Sequence, residues 1–343
     1  MALLFADGFD HMGTGNPVTL GKWGASGGFS LSTTPTRTGT GSLQGNSATD
    51  ITTKVYVTSG GCIAGIAIQN VAGTFSTTDN IYRVLEGGTT HMALGVVTGN
   101  VLGVYRGATL LASGTTVLVA NSWYYVEFKC VIHDTNGSYE TRIDGVVEAA
   151  LTNAGPVDTR NGGTGIWDRL MIRSFTTSTT SRYDDFYLLD TSGPAPRNNF
   201  LGPIKIETLY PQTDAVAAGS NAGLTPSTGT DHGALVDEPS PNTTDYNSSA
   251  VVGIKDTYNY PPMTLTGTIY GIQTNLYVSK SDAVARSVCA VVRSGGVDSD
   301  GVNVNPTTTF QYNSEIRPVN TNGGAEWTTA AIAAIEAGMK VTV

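Results

Sequence analysis

Residues 121–147 read NSWYYVEFKCVIHDTNGSYETRIDGVV, and this stretch decides the fold. From Trp123 to Ile132 it is rich in aromatic and β-branched residues, the types that suit a pleated, half-buried surface. Its period is two. Tyr124, Val126, Phe128, Cys130 and Ile132 face one way; Tyr125, Glu127, Lys129 and His133 face the other. Asn136-Gly137 supplies the residues that take positive φ most easily, so the chain can reverse there. Tyr139, Thr141 and Ile143 resume one face, Glu140, Arg142 and Asp144 the other, and Asp144-Gly145 marks a second reversal. The pattern predicts the central hairpin of an antiparallel sandwich with one wet face. Aromatic residues in alternation, without a 3.6-residue period, argue against a helix.

The composition agrees with strands and many turns. Charged residues are 14% of the chain, against about 25% in an average domain. There are 42 glycines in 343 residues, above the usual share of about 7%. The hydrophobic 40% falls in short periodic runs that can bury a core, so the chain is not read as disordered. The net charge is −9 and the 19 Lys and Arg residues are scattered, which excludes nucleic-acid binding by phosphate neutralisation and disfavours anionic membrane surfaces. No apolar run approaches the ~20 residues of a bilayer span. The opening MALLFADGFDHM has no basic start and carries Asp7 and Asp10 early, so it is not read as a signal peptide. The expectation is a chain made and kept in a cytoplasm, or released by a route other than secretion. Cys62, Cys130 and Cys289 lie far apart in predicted strands without a CxxC, and are expected as buried free thiols.

Outward from the hairpin, Cys62–Gln69 is apolar on both faces and predicts a strand central in its sheet. Further strands are expected at Leu3–Phe5, Lys54–Val57, Ile81–Glu86, His91–Val97, Asn100–Arg106, Ile166–Ser174 and Ser181–Asp190. Thr191–Asn199 contains two prolines and a glycine and reads as a linker. Beyond it, strands are expected at Ile204–Tyr210, Val251–Tyr258, Thr264–Ile272, Thr274–Ser279, Arg286–Arg293 and Thr307–Ile316, with a surface loop over Ala215–Thr230. At Trp327–Ala337 the period changes: Trp327, Ile332 and Ile335 can share a helical face, Thr328 or Thr329 can cap its start, and Gly338 lies just past its end.

The central stretch, in which a tryptophan opens a strand and a following strand ends in Asp-Gly, resembles the laminin-G/concanavalin-A-like jelly rolls. Arg37–Leu43, RTGTGSL, is similar to their R-x-G-x-x-S-L segment. The resemblance implies that the first and last strands, LLFADGFD and YDDFYLLD, lie side by side. The second half, with FLGPIKIETLYPQTDA, DHGALVDEPSPNTTDYNSS, VVGIKDTY and GGAEWTTAAIAAIEAGMKV, resembles a module of tailed-phage virion proteins. There a jelly roll opening with FxDGFDH precedes the module, and Phe5–His11 fits that phrase. Together the resemblances cover nearly the whole chain, and none of the phrases is a catalytic motif.

Chemistry-bearing residues do not form a recognisable set. A retaining glycosidase needs two carboxylates on one face, and no E-x-D-x-E phrase occurs; Asp184 and Asp185 are adjacent and are expected on opposite faces. Asp298-Ser-Asp300-Gly301, with Asn303 and Asn305, is similar to a calcium loop but lacks the terminal acid, the next being Glu315, so a polar turn is expected. Asp7, Asp10, Asp184 and Asp185 gather where the first and last strands meet, either as a calcium rim or as solvated turn residues. His11, His91, His133 and His232 show no HxH or HExxH spacing, and no G-x-S-x-G phrase occurs. Outward tyrosines such as Tyr125 either pack across strands or stack on sugars.

The expected fold class is all-β: an antiparallel concanavalin-A-like jelly-roll sandwich over residues 1–192, a linker at 193–199, and a second mostly-β domain at 200–343 with one short C-terminal helix. The expected function, drawn from the resemblance, is a structural component of a tailed-phage particle on the capsid or tail surface, as decoration, fibre or adaptor. It would be non-enzymatic, assembled in the bacterial cytoplasm and located in the virion. The alternative is a carbohydrate-binding, host-recognition module of the virion. No catalytic, cofactor-binding or metal residues are nominated. The expected partners are further copies of the chain, most simply a trimer with the second domain in the contact, other virion proteins and host surface glycans, without nucleic acid or membrane insertion.

Overall fold

The computed structural model describes residues 3–46, 49–56, 58, 60–71, 75, 80–175, 180–215 and 223–343. The chain forms two compact units. The first holds Met1–Asp10, Asn16–Val18 and Trp23–Ile206; the second holds His11–Gly15, Thr19–Lys22 and Glu207–Val343. Two short stretches near the start thus belong with the second unit, and 200–206, expected to open that unit, belongs with the first.

Strands of the first unit are β1 (Leu3–Asp7), β2 (Ala25–Ser26), β3 (Phe29–Ser32), β4 (Ser42–Asn46), β5 (Asp50–Thr52), β6 (Gly61–Asn70), β7 (Asn80–Glu86) and β8 (Thr89–Val97). They continue with β9 (Val101–Arg106), β10 (Thr109–Val117), β11 (Tyr124–Val131), β12 (Gly137–Ile143), β13 (Val146–Val157), β14 (Arg169–Arg173) and β15 (Thr180–Asp190). One sheet has the order β13-β12-β11-β6-β15-β4-β3, with β1 also paired to β15; the other has the order β10-β9-β8-β7-β14-β5-β2. Every pairing among them is antiparallel. The all-β expectation is met, and the first and last strands lie side by side, with Phe5 opposite Leu188 and Asp7 opposite Phe186.

The alternation of the central hairpin sets the core. Val126, Phe128 and Cys130 of β11 lie opposite Ile143, Thr141 and Tyr139 of β12, and all six are buried. β6 is buried along its length between β11 and β15, as its two-sided apolar pattern requires. Asp144 and Gly145 take φ of 52° and 80°, the mirror-image turn that matches strand twist. Gly137 differs from expectation. It opens β12 without positive φ, and a Cβ there would overlap the Thr159 side chain and the Val157 carbonyl, so a close approach demands the glycine. The reversal before it is held by His133, whose Nδ1 accepts the Thr135 and Asn136 N–H groups at 3.0 and 2.9 Å. Lys54–Tyr56 is not a strand, and Val57 lies outside the described residues.

In the second unit the order is β16 (Thr213–Asp214), β17 (Thr225–Pro226), β18 (Asn247–Ser248), β19 (Lys255–Asn259), β20 (Ile272–Val278), β21 (Val288–Ser294), β22 (Val297–Asp300), β23 (Gln311–Arg317), α1 (Thr329–Ala333) and β24 (Glu336–Val341). A sheet β16-β19-β24-β21-β22 is joined by the pairs β17–β18 and β20–β23. Part of the loop expected over Ala215–Thr230, residues 216–222, lies outside the described residues. Neither 204–210 nor 264–271 forms a strand. The helix is shorter than its period predicts. Thr328 caps it, its Oγ1 accepting the Ala331 N–H at 3.1 Å, but the chain leaves it after Ala333 because 336–341 pairs with both β19 and β21. Trp327, Ile332 and Ile335 still converge in one buried cluster with Val292 and Ala337. Gly338 is a strand residue rather than a cap: a Cβ there would overlap the Asp256 carbonyl. Among the described residues no helix is long and apolar enough to cross a membrane.

Gly338→Ala forces two backbones apart inside this sheet, and overpacking of that kind costs roughly 1–3 kcal/mol or more. Thermal denaturation is expected to show the loss in the second unit, whereas Gly229→Ala, with open space around its Cβ, is expected to cost only its local backbone strain.

Candidate functional site

The polar groups of the first unit gather where β1, the 33–41 loop and β15 meet. Asp7 ends β1. Its Oδ1 accepts the Phe9 N–H at 2.9 Å and its Oδ2 accepts the Trp23 Nε1–H at 2.8 Å. Those bonds hold Phe9 at φ 62°, a conformation non-glycine residues seldom adopt, and seat Trp23 among Phe5, Phe9 and Phe186 at centroid distances of 4.9, 5.9 and 5.4 Å. Asp10 Oδ1 accepts the Thr40 and Gly41 N–H groups at 2.6 and 2.8 Å. Gly39 and Gly41 are required here, since a Cβ on either would overlap the Asp10 carboxylate or the Phe9 carbonyl.

Asp184 and Asp185 do not point to opposite faces. The β15 ladder slips between Asp184 and Tyr187, and Asp185 takes φ 51°. This bulge turns both carboxylates onto the same loop. Asp184 Oδ2 accepts the Arg37 and Thr38 N–H groups at 2.8 and 3.1 Å. Asp185 Oδ2 accepts from the Arg37 guanidinium and, at 2.9 Å, the Thr38 hydroxyl. The four aspartates are therefore not solvated turn residues. All are buried, and their oxygens face N–H and O–H donors, where a cation needs lone pairs. Among the described residues no group of three or more His, Cys, Asp or Glu side chains has the arrangement to hold a metal ion.

The outer face of the larger sheet is not wet at its centre. One row runs Arg142, Glu127, Gly65, Tyr187 across β12, β11, β6 and β15. A side chain at Gly65 would overlap the Tyr187 ring, so the glycine lets that ring lie across β6 and reach Glu127. The Tyr187 hydroxyl donates to Glu127 Oε1 at 2.5 Å. Residues 200–206 cover the row. The Gly202 N–H donates to Glu127 Oε1 at 2.9 Å and the Leu201 N–H to the Tyr187 oxygen at 3.2 Å. Arg37 donates to the Ile204 carbonyl at 2.7 Å, the Ile206 N–H to Asp185 Oδ1 at 2.7 Å, and Phe200 stacks on the Arg142 guanidinium at 4.4 Å. Glu127 is 0% exposed, and its Oε2 is buried without a hydrogen-bond partner. Tyr125, a candidate for sugar stacking, is 1% exposed under the Arg37 guanidinium and donates to the Asp185 carbonyl at 3.0 Å.

Burial dominates the acid–base behaviour. It pushes Asp10 up to about 6 and, with the neighbouring Asp185 charge, Asp184 up to about 8; Glu127 is raised by burial against the pull of the Tyr187 and Gly202 bonds. The Cys62 and Cys130 thiols face each other across the β6–β11 ladder, free and buried, with Cys130 pushed up to about 12. Cys289 is also free and buried.

The remaining candidates are scattered in the same way over local tasks. Glu86 accepts from His91 at 2.9 Å and from the Thr164 hydroxyl at 2.7 Å. In the second unit His232 Nδ1 meets buried Asp256 at 2.5 Å, and the His11 and Lys22 side chains meet at 3.0 Å. Asp298 and Asp300 lie on β22 rather than in a turn: Asp298 pairs with Lys255 and Arg293, and Asp300 with Lys340 at 2.5 Å. Asp298 is lowered, burial being outweighed by its Lys255 and Arg293 partners. Sequence reasoning missed the Glu127–Tyr187 pair. The signal was a lone glutamate in an aromatic strand, facing a glycine in a run otherwise apolar.

No protein-family model matches the chain, and no curated protein matches it. Similar solved structures are β-rich carbohydrate-active proteins. Domain 4 of AbnA, a GH43 extracellular arabinanase from Geobacillus stearothermophilus solved with arabinotriose, is 12% identical over 50% of this chain and 84% of that one, with a TM-score of 0.35. The catalytic domain of a glycoside hydrolase family 131 protein from Coprinopsis cinerea is 12% identical over 60% of this chain and 98% of that one, with a TM-score of 0.38. A sialidase is 12% identical over 56% of this chain but only 19% of its own, with a TM-score of 0.37. These likenesses concern the fold alone. They correct one expectation: a catalytic domain and a sialidase are among the similar folds, so the reading of this chain as a non-enzyme does not stand.

Two outcomes follow from the acids. A carboxyl whose folded pKa lies above its unfolded value near 3.8 favours the folded state at low pH. That stability is lost as pH rises from about 4 through about 6 for Asp10 and about 8 for Asp184. Calorimetry at constant ionic strength is expected to show the midpoint of the first unit falling over that range. Asp10→Ala strands the buried Gly41 N–H, worth roughly 1–3 kcal/mol when left unpaired, while the Thr40 N–H belongs to an exposed residue and can turn to water, and urea titration is expected to register a loss of about that one group.

Proposed function

We propose that this chain is a structural component of a tailed-phage particle, carried on the capsid or tail surface and in contact with further copies of itself and other virion proteins. The observation that supports the reading most is an uncharged apolar strip on the first unit. Residues 109–120 and 146–157 contain a single ionisable side chain, Glu148. Glu148 is turned back onto β10, accepting from the Thr115 and Thr116 hydroxyls at 2.8 and 2.5 Å. Around it Val117, Val119, Val146 and Val147 are 55%, 56%, 69% and 45% exposed. Exposed apolar groups gathered in this way mark contact surfaces, and on a chain of net charge −9 an uncharged strip is where like copies meet without repulsion. The resemblance of several phrases to those of virion proteins adds support. Phe5–Asp10 and Arg37–Leu43 are bound to each other through Asp10, so the resemblance bears on a scaffold.

Cryo-electron microscopy of the particle is the test. The expected result is density for this chain with Val117 and Val146 against a neighbouring subunit; a particle carrying no copy on head or tail overturns the reading. For the isolated chain, Val146→Lys with Val147→Lys is expected to lower the mass measured by light scattering toward 35.7 kDa.

A further inference from the structure

We infer that residues 200–206 form a pH-gated strap, closed over Glu127 while that carboxyl is neutral and lifted from the sheet when it ionises. The inference stands on the first unit's geometry and does not depend on the virion reading. Three observations carry it.

The strap is tied by few, identifiable bonds. It contains no strand or helix, and it lies on the sheet through the Leu201 and Gly202 N–H groups, the Ile204 carbonyl and the Ile206 N–H. Two of these four ties end on Glu127 or on the tyrosine that donates to it. Gly202 takes φ 81°, which brings its N–H down to the carboxylate.

Glu127 also has one oxygen too many. Oε1 takes both donors, while Oε2 is buried with none. In the neutral acid that oxygen carries the proton and costs the desolvation of one uncharged hydroxyl. In the anion it is a buried charge without a donor, which costs far more. The cheapest relief is a water molecule, and the strap, bonded to the same carboxylate through the Gly202 N–H, is the part of its surroundings that belongs to no strand or helix.

The surroundings do not remove that cost. The charged and titratable groups facing Glu127 are Arg142 and Glu140 from β12, Tyr187 from β15, Tyr82 from β7 and Tyr125 from its own strand β11. Arg142 is shared, its Nε donating to Glu140 at 2.8 Å and its plane stacked on Phe200. Tyr82 spends its hydroxyl on the Val126 carbonyl at 2.8 Å. Burial is accordingly the largest influence on Glu127 and moves it above its ordinary 4.5. Lifting the strap uncovers Glu127, Tyr187 and the neighbouring Tyr125 together, a polar and aromatic face hidden in the closed form.

Hydrogen exchange of the Leu201 and Gly202 amides in the full chain, corrected for the intrinsic pH dependence of exchange, tests this. In the native protein protection is expected to fall at least tenfold across a single titration above pH 4.5, while the β11 and β12 amides stay protected. Glu127→Gln keeps the Oε1 acceptor and cannot ionise, so its strap is expected to remain protected throughout. Tyr187→Phe removes a bond that favours the anion and also the acceptor of the Leu201 N–H, so it is read at the Gly202 amide, where the titration is expected to move upward in pH. Protection independent of pH in the native chain, or the same titration in Glu127→Gln, overturns the inference. If Glu127→Gln does not fold, the Tyr187→Phe shift decides alone: an unmoved midpoint overturns it.

Discussion

The first unit depends on one constraint: the loop 37–41 has backbone N–H groups that no strand can take, and buried aspartates take them. Arg37 and Thr38 donate to Asp184, and Thr40 and Gly41 donate to Asp10. An N–H that loses its acceptor is costly where it is buried, as at Gly41, and the loop takes this conformation with both acids as acceptors. Asp10 follows the first strand and Asp184 lies in the last, so the loop joins the two ends of the sandwich. Trp23 does the same on the apolar side, bonded to Asp7 and packed on Phe186. The carboxylates cost desolvation, which is why Asp10 and Asp184 are raised.

That arrangement explains why phrases distant in sequence occur together. FADGFDH, RTGTGSL and YDDF read as separate motifs, yet each supplies one side of the same set of bonds. Their glycines are fixed by this contact: Gly39 and Gly41 are glycine because Asp10 and Phe9 come too close for a Cβ. The bulge at Asp185 belongs to it too, since a regular strand would send one of the two acids to the core.

Much of the sandwich was legible because period two is a direct image of burial. Val126, Phe128 and Cys130 face the core as their alternation requires, and Asp144-Gly145 turns with positive φ at both residues. What was not legible depends on pieces of chain remote in sequence. Glu127 lies on the face expected to be wet and is dry because residues 200–206 cross it, and that segment has the composition of a strand but finds no ladder partner. Gly338 stands where a helix cap is wanted, yet pairing with β19 and β21 took precedence over the local helical period. The polar grouping of Asp7, Asp10, Asp184 and Asp185 was visible, but its donors were not: backbone N–H groups leave no mark in a sequence.

Native-state hydrogen exchange of the Thr38, Thr40 and Gly41 amides tests the central claim most directly. If the aspartates hold the sandwich closed, these loop amides exchange only through global unfolding, with the same opening free energy and the same denaturant dependence as amides of β6. Exchange through local opening, several kcal/mol easier than β6 and insensitive to denaturant, would show a loop that rests on the sandwich without closing it, and would contradict the account.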